Sequence, residues 1–180
     1  MLQIVIPDTE SWDEAKQEFV YTKGQTLQLE HSLISISKWE SKWCKTFLSK
    51  QEKTYEETID YIKCMTLTQK VNPEVYKHLT RENIEQINNY IQAPMTATYF
   101  YDEPNGKTNN EKTTSELIYY WMIALNIPPE YEKWHLNRLL TLIRVCNIKG
   151  NPDKKMSKKD IMKRNSALNA ARRKKFNSKG

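Results

Sequence analysis

The stretch "SLISISKWESKWCKTFLS", residues 32–49, decides the fold class. Its large apolar residues recur every three or four positions, at Ile36, Trp39, Trp43 and Phe47. Such spacing places these side chains on one face of an α-helix. A helical face that carries two tryptophans needs other elements to cover it. The stretch therefore predicts an amphipathic helix whose apolar stripe is buried, within a mainly helical body.

Two further helices are predicted downstream, and each begins at a threonine that can accept a hydrogen bond from a free backbone N–H. Thr54 and Glu57 have capping-box spacing, and Thr80 precedes the later helix. Pro73 indicates the first turn of a short helix between them, where its missing N–H has no cost. The predicted apolar faces are Ile59, Ile62 and Met65, and then Ile84, Ile87 and Ile91.

A polar loop, "DEPNGKTNNEK", separates these helices from a predicted helical hairpin at residues 113–146. Thr113 and Glu116 repeat the capping-box spacing, and Pro128 with Pro129 separates the two helices. The first helix is apolar almost all round, which predicts a position at the centre of the body. The second helix has its apolar stripe at Leu136, Leu139, Leu140 and Ile143.

The first thirty residues are typical of β-structure. "LQIVI" is a β-branched run that ends at Pro7, and "EFVYT" and "TLQLE" flank the pair Lys23–Gly24. A glycine there favours a tight turn, so we expect a hairpin of the last two runs, joined by the first. The predicted fold is thus mainly α (α+β), with a small N-terminal hairpin or three-stranded element.

Charge divides the chain into a body at residues 1–148 and a basic extension at residues 149–180. The extension contains 12 of the 28 Lys and Arg residues and 2 of the 22 acidic ones, a net charge of +10. The body then has 16 basic and 20 acidic residues, a net charge of −4. We expect the extension to be a basic helix or a disordered tail that docks on an acidic surface.

No catalytic, cofactor or metal site is expected from the sequence. His31, His78 and His135 are isolated, and the three cysteines form no CxxC pair. Four scattered glycines cannot form a phosphate-binding loop. The N-terminal run reaches a proline too early for a signal peptide, and no apolar stretch is long enough to span a bilayer. A non-enzymatic protein without a membrane segment is the expectation.

Two groups of residues are candidates for binding a partner. Trp39 and Trp43 lie near Lys38, Lys42 and Lys45, and aromatic rings beside cations can stack on bases or form a protein interface. The alternative is that both rings belong to the core. The second group is basic and consists of Lys158, Lys159, Arg164, Arg172, Arg173, Lys174 and Lys175.

The basic group admits two kinds of partner. "ARRKK" could neutralise phosphates of a nucleic acid without reading its sequence. However, Ala167, Ala170 and Ala171 form a small-residue face that favours an ordered contact with a protein. Protein is therefore the favoured partner, and nucleic acid is the alternative.

Several stretches resemble a known family: "EHSLISISKWESKWCKTFLS", "DYIKCMTLTQKVNPEVYKHLT", "APMTATYF", "ELIYYWMIALNIPPEYEKWHLNRLLTLIRVC" and "MSKKDIMKRNSALNAARRKK". They are similar to tail assembly chaperones of tailed bacteriophages with long non-contractile tails, which are encoded near the tape measure gene. No short motif with a chemical mechanism anchors this resemblance.

The resemblance implies a non-enzymatic role in the bacterial cytoplasm. Such chaperones coat the apolar, helical tape measure protein before tail-tube subunits polymerise around it, and they commonly self-associate. The expected partners are thus the tape measure protein, the tail-tube protein and a second copy of the chain. One alternative is a structural tail or connector protein that stays in the virion tail. Another is a small nucleic-acid-binding protein that uses the basic extension.

Overall fold

A computed structural model describes residues 1–14, 17–100, 112–150, 162, 165–170 and 172–173. This part of the chain is mainly helical with a small N-terminal β element, which confirms the predicted fold class. Clustering of its contacts divides the chain into two compact units, Met1–Arg144 and Val145–Gly180. The charge pattern had placed this division a few residues later, after residue 148.

Four strands precede the helices. The strands are β1 (Leu2–Ile6), β2 (Thr9–Asp13), β3 (Glu18–Thr22) and β4 (Gln25–Leu29). The α-helices are α1 (Leu33–Trp43), α2 (Tyr55–Met65), α3 (Arg81–Gln92), α4 (Ser115–Ala124) and α5 (Leu136–Gly150). Two short 3-10 helices, Pro73–His78 and Pro129–Lys133, each begin at a proline.

The predicted pairing of the strands around Gly24 is wrong. β1 pairs with β4, and β2 pairs with β3, both antiparallel. The β2–β3 hairpin therefore lies between the two paired strands β1 and β4 in sequence. Pairing β1 with β4 places four aliphatic side chains against the helices, and burial of these side chains outweighs the local turn signal at Gly24. They are Ile4, Ile6, Leu27 and Leu29, each at most 2% exposed.

The register continues without a shift from one sheet to the other. Ile6 lies opposite Gln25. Thr9, three residues after Ile6, lies opposite Thr22, three residues before Gln25. The four strands therefore follow one long two-stranded path that is interrupted next to Pro7 and Gly24. We call the inner part, β1 with β4, the inner ribbon, and β2 with β3 the outer ribbon.

Helix α1 lies at the centre of the core and packs against α2 and α4, while β1 packs against α3. Leu33 and Ile36 of α1 are fully buried, together with Leu27 of β4 and Ile118 of α4. The helix begins at Ser32, whose hydroxyl accepts a hydrogen bond from the backbone N–H of Ser35. The predicted helix and the burial of Ile36 and Trp39 on its apolar stripe are thus confirmed.

Helix α1 ends earlier than the apolar stripe suggested. Cys44 has a left-handed conformation with φ of 52°, and its N–H donates to the carbonyl of Glu40, which closes the helix. Phe47 is nevertheless buried, because the chain turns back and its N–H donates to the Glu40 carboxylate at 2.8 Å. The core therefore includes all of Ile36, Trp39 and Phe47, but only the first two lie on the helix.

The prediction that α4 lies at the centre of the body is wrong. Ile118 and Met122 face the core, but Tyr120 and Ile123 are 63% and 76% exposed. The helix therefore has one buried side and one apolar side that faces solvent, although its composition is apolar all round. Its N-cap also differs from the prediction, because Thr114, and not Thr113, accepts a hydrogen bond from Leu117.

Candidate functional site

The two predicted tryptophans lie in different environments. Trp39 is 1% exposed, and its indole N–H donates to the Glu57 carbonyl at 2.9 Å. Trp43 is half-buried, stacks on Trp39 with ring centroids 6.2 Å apart, and donates to Asp60 at 2.9 Å. The structure thus places Trp39 in the core, which was the alternative interpretation. Of the two rings, only Trp43 has surface left for a partner.

The lysines beside Trp43 are engaged by carboxylates. Lys42 forms an ion pair with Asp60, and Lys45 forms one with Glu57. Their ammonium groups lie 5.7 and 5.8 Å from the centre of the Trp43 ring. The hydrogen bond from Lys45, followed by that from the Thr54 backbone, lowers the pKa of Glu57. Because the cations are already neutralised locally, this surface is poorly suited to hold phosphates.

A buried polar network joins the strands to α2, α3 and α5. The His31 ring forms a hydrogen bond with the Tyr61 hydroxyl and lies edge-on to His135, with centroids 5.1 Å apart. His135 Nε2 bonds to the carbonyl of Tyr90 at 3.0 Å. The Leu136 N–H donates to the carbonyl of His31 at 2.7 Å. The network connects segments that are far apart in sequence.

The histidines of this network are uncharged at neutral pH. Burial, with a smaller contribution from His135, lowers the pKa of His31 to about 3. Burial also lowers the pKa of His135, and it raises the pKa of Tyr61. Each of these pKa values is shifted away from 7, where a general acid or base works best. The network is therefore best interpreted as part of the folded core.

A cavity of about 270 Å³ lies beside this network. It is lined by Met1, Glu30, Tyr90, Met95, Lys133, Trp134, His135 and Arg138. The Tyr90 hydroxyl donates to Glu30 at 2.7 Å, and the Arg138 guanidinium lies 3.9 Å from the centre of the Trp134 ring. Tyr90 and Glu30 thus bond to each other, and none of the lining residues is a nucleophile activated by a neighbouring base.

The described residues contain neither a metal site nor a membrane-spanning helix. No cluster of three His, Cys, Asp or Glu side chains there could hold a metal ion. None of the helices in that part of the chain has the length and apolar character needed to cross a membrane.

Two exposed apolar surfaces lie elsewhere on the body, and the sequence did not indicate them. One is the outer face of α4, with Tyr120 and Ile123. The other is the outer ribbon, where Trp12, Phe19 and Tyr21 are 52%, 67% and 63% exposed. Strand β2 was not predicted, because its residues "TESWD" are mostly polar. The alternation of Trp12 with polar neighbours was the signal that could have revealed it.

The basic candidates lie in the second unit. Arg172 and Arg173 are helical and exposed, and residues 165–170 are helical and exposed as well. The other five basic candidates, Lys158, Lys159, Arg164, Lys174 and Lys175, lie outside the described residues. The helical stretch agrees with the predicted basic helix within the positions that are described.

No family model, curated protein or solved structure matches this chain. Of the surfaces of the body, the outer face of α4 and the outer ribbon expose large apolar side chains on regular secondary structure.

Proposed function

We propose that this chain is a non-enzymatic assembly chaperone of a tailed bacteriophage, and that it binds the tape measure protein during tail morphogenesis. The observation that supports a binding role most directly is the outer face of α4. Tyr120 and Ile123 are three residues apart, so they are neighbours on the helix, and both are mostly exposed. Exposed apolar side chains of this size on a helix are typical of a protein-binding surface.

The α4 face is held in place before any partner binds. Ser115 and Ile118 on its inner side are fully buried. The Ser115 N–H donates to the Glu40 carboxylate of α1 at 2.7 Å, and the Thr114 hydroxyl accepts from Leu117. A rigid surface loses little conformational entropy on binding, which favours affinity. An apolar helix of a partner can pack along such a face.

The partner is proposed from the resemblance to phage tail assembly chaperones. A tape measure protein is long, helical and apolar, so it would aggregate unless its faces were covered. The exposed face of α4 has the matching chemistry. The place of action in this proposal is the cytoplasm of the bacterial host, and the basic extension is a second contact for an acidic protein surface.

Co-expression with the tape measure protein encoded by the same genome tests this proposal. We expect the wild-type chain to keep that protein soluble and to purify with it. The double variant Tyr120→Ser/Ile123→Ser should lose both effects. A matched control is Tyr55→Ser/Leu67→Ser, which removes two other exposed apolar side chains away from α4 and should behave as wild type. Equal behaviour of the two double variants would rule out the α4 face.

Two measurements separate the alternatives. Abundant copies of the chain in the mass spectrum of purified virions would favour a structural tail or connector protein. Binding to duplex DNA at physiological salt, if it is lost in the variant Arg172→Glu/Arg173→Glu, would favour a nucleic-acid-binding protein. The exposure of both arginines supports this alternative.

Self-association stays a prediction, and sedimentation velocity at tens of micromolar (about the range of weak interfaces) checks it.

A further inference from the structure

The outer ribbon has no part in the proposed function, yet it exposes three aromatic side chains. Trp12 on β2 and Phe19 on β3 lie directly opposite each other in the register. Their rings meet edge to face, with centroids 5.0 Å apart. Tyr21 and Glu10 form the next pair on the same face, two residues along. Three aromatic side chains thus share one exposed face across two strands.

The two faces of the outer ribbon differ in how far they are covered. On β3, Thr22 is buried and Val20 is half-buried, and these two residues alternate with Phe19 and Tyr21 along the strand. Trp12, Phe19 and Tyr21, on the other face, are each more than half exposed. The aromatic face is thus the more exposed of the two and is available to a partner.

A specific set of contacts holds the junction between the two ribbons. Asp8 accepts hydrogen bonds from the Gly24 N–H at 2.6 Å and from the Tyr21 hydroxyl. The bond from Tyr21, followed by that from Gly24, lowers the pKa of Asp8. A Cβ on Gly24 would lie 2.3 Å from the Ile6 carbonyl oxygen, so only glycine allows the backbones to approach this closely. The Tyr21 ring is thereby oriented before a partner arrives.

The charge of this region indicates which kind of partner can bind to it. Residues 8–23 include five acidic residues and two basic ones. Glu10 lies on the aromatic face, and Glu14 and Glu18 are exposed at the far end of the ribbon. Two copies of this surface would repel each other, so self-pairing through it is disfavoured. A partner with both basic and apolar side chains complements it.

The width of the aromatic face indicates that the partner element is a helix and not a strand. The aromatic rings lie across both strands and not along one edge, so an added strand at the edge would leave them uncovered. Two paired strands are about 4.8 Å apart, and their side chains widen the face further. A helix of about 10 Å diameter can cover such a face in one contact.

We propose that the aromatic face of the outer ribbon is a docking site for a basic amphipathic helix of another protein. Trp12, Phe19 and Tyr21 contact its apolar side, and Glu10 and the neighbouring carboxylates attract its lysines or arginines. This site is separate from the α4 face, so either proposal can fail without the other.

Titration of the full-length protein with defined peptides tests the site. The probe is a fluorescein-labelled, 18-residue peptide of Leu and Lys with leucines at helical spacing. Its matched partner has Gln in place of every Lys, because a Glu peptide would bind the basic extension. We expect fluorescence anisotropy to show at least about tenfold tighter binding of the Lys peptide at low salt, with a difference that shrinks as salt is added. Equal affinity for both peptides would overturn the proposal.

Two double variants locate the binding. Trp12→Ser/Phe19→Ser should weaken binding of the Lys peptide by about tenfold or more, since buried aromatic anchors dominate such contacts. Tyr120→Ser/Ile123→Ser should bind as wild type, and the opposite result overturns the proposal. Circular dichroism checks that both variants stay folded.

Hydrogen–deuterium exchange of the wild-type protein gives an answer that does not depend on variants. We expect the Lys peptide to protect residues 9–22. Protection confined to other residues overturns the proposal. A wild-type dimer that Trp12→Ser/Phe19→Ser converts to monomer also overturns it, because a second copy would then be the occupant.

Discussion

Glu40 on α1 accepts a hydrogen bond from the backbone N–H of Ser115, the first residue of α4, at 2.7 Å. The other oxygen of the same carboxylate accepts from the Phe47 N–H at 2.8 Å. One buried side chain thus satisfies a free N–H at the start of α4 and also holds the segment that follows α1. A negative charge at the N-terminus of a helix is favourable. The position of the α4 face depends on this contact.

The substitution Glu40→Gln should lower the free energy of unfolding by about 2 kcal/mol. The amide has one oxygen, so one of the two backbone N–H groups loses its acceptor inside the protein. Urea unfolding at pH 7 measures the effect. Glu52→Gln, at an exposed glutamate in the loop before α2, is the control and should change stability by less than about 0.5 kcal/mol. Equal midpoints for both variants would contradict the assigned role.

Trp39→Phe should destabilise the protein more than Trp43→Phe. The first change removes a fully buried indole and the hydrogen bond that it donates to the Glu57 carbonyl, at a cost of about 2–3 kcal/mol. Trp43 is half-buried, so the second change should cost less than about half as much. Thermal unfolding of the two variants compares these costs. A larger loss from Trp43→Phe would contradict the assignment of Trp39 to the core.

Gly24→Ala should destabilise the N-terminal ribbons. The added methyl group would meet backbone atoms of Ile6, Pro7 and Asp8 at 2.3–2.6 Å, and backbone cannot move aside as the end of a side chain can. We expect a loss of about 1–3 kcal/mol. Gly150→Ala is the matched control, since nothing lies within 4 Å of a Cβ there. Urea unfolding, monitored by circular dichroism, measures both variants. Equal stability of the two alanine variants would contradict the close backbone approach at Gly24.

Stability should fall as the pH falls below about 6.5. The pKa of His31 is about 3 in the folded protein, below its value of about 6.5 in an unfolded chain. The unfolded state therefore binds more protons between these two values, which favours unfolding as the pH falls through this window. The pKa of His135 is lowered too, so it acts in the same direction. For each such proton the slope approaches about 1.4 kcal/mol per pH unit.

Urea unfolding between pH 7.5 and pH 5 (estimated limits that stay above ordinary carboxyl pKa values, about 4) measures this slope. The variant His31→Gln should have a shallower slope than wild type, whatever its stability at pH 7.5. An unchanged slope would show that His31 does not titrate with unfolding. Aspartates and glutamates with lowered pKa values, such as Asp8 and Glu57, contribute mainly at lower pH.

Much of the helical architecture could be predicted because it depends on neighbours in sequence. Thr54 with Glu57 and Thr80 do cap α2 and α3, and each forms a capping box in the structure. The short helix at Pro73 is also confirmed. These features rest on hydrogen bonds within one turn, so a few residues contain all the information.

The candidate sites were harder to predict, because exposure depends on the rest of the chain. Trp39 and Trp43 are one helical turn apart and look alike in sequence, yet only Trp39 faces α2 closely enough to be fully buried. Tyr120 and Ile123 belong to a helix that is apolar all round, and composition cannot say which side is covered. The outer ribbon was missed with β2, whose single tryptophan lies among polar residues.

The sequence by itself determined the mainly helical class, the helix starts at Thr54 and Thr80, and the separation of charge between body and extension. The tertiary structure decided that β1 pairs with β4, that Trp39 is core, and that α4 and the outer ribbon expose apolar faces. The reason is physical: caps and periodicity act within a few residues, whereas burial is shared among segments far apart in sequence. Gly24 shows this most clearly, because its local turn signal was outweighed by the burial of Ile4, Ile6, Leu27 and Leu29.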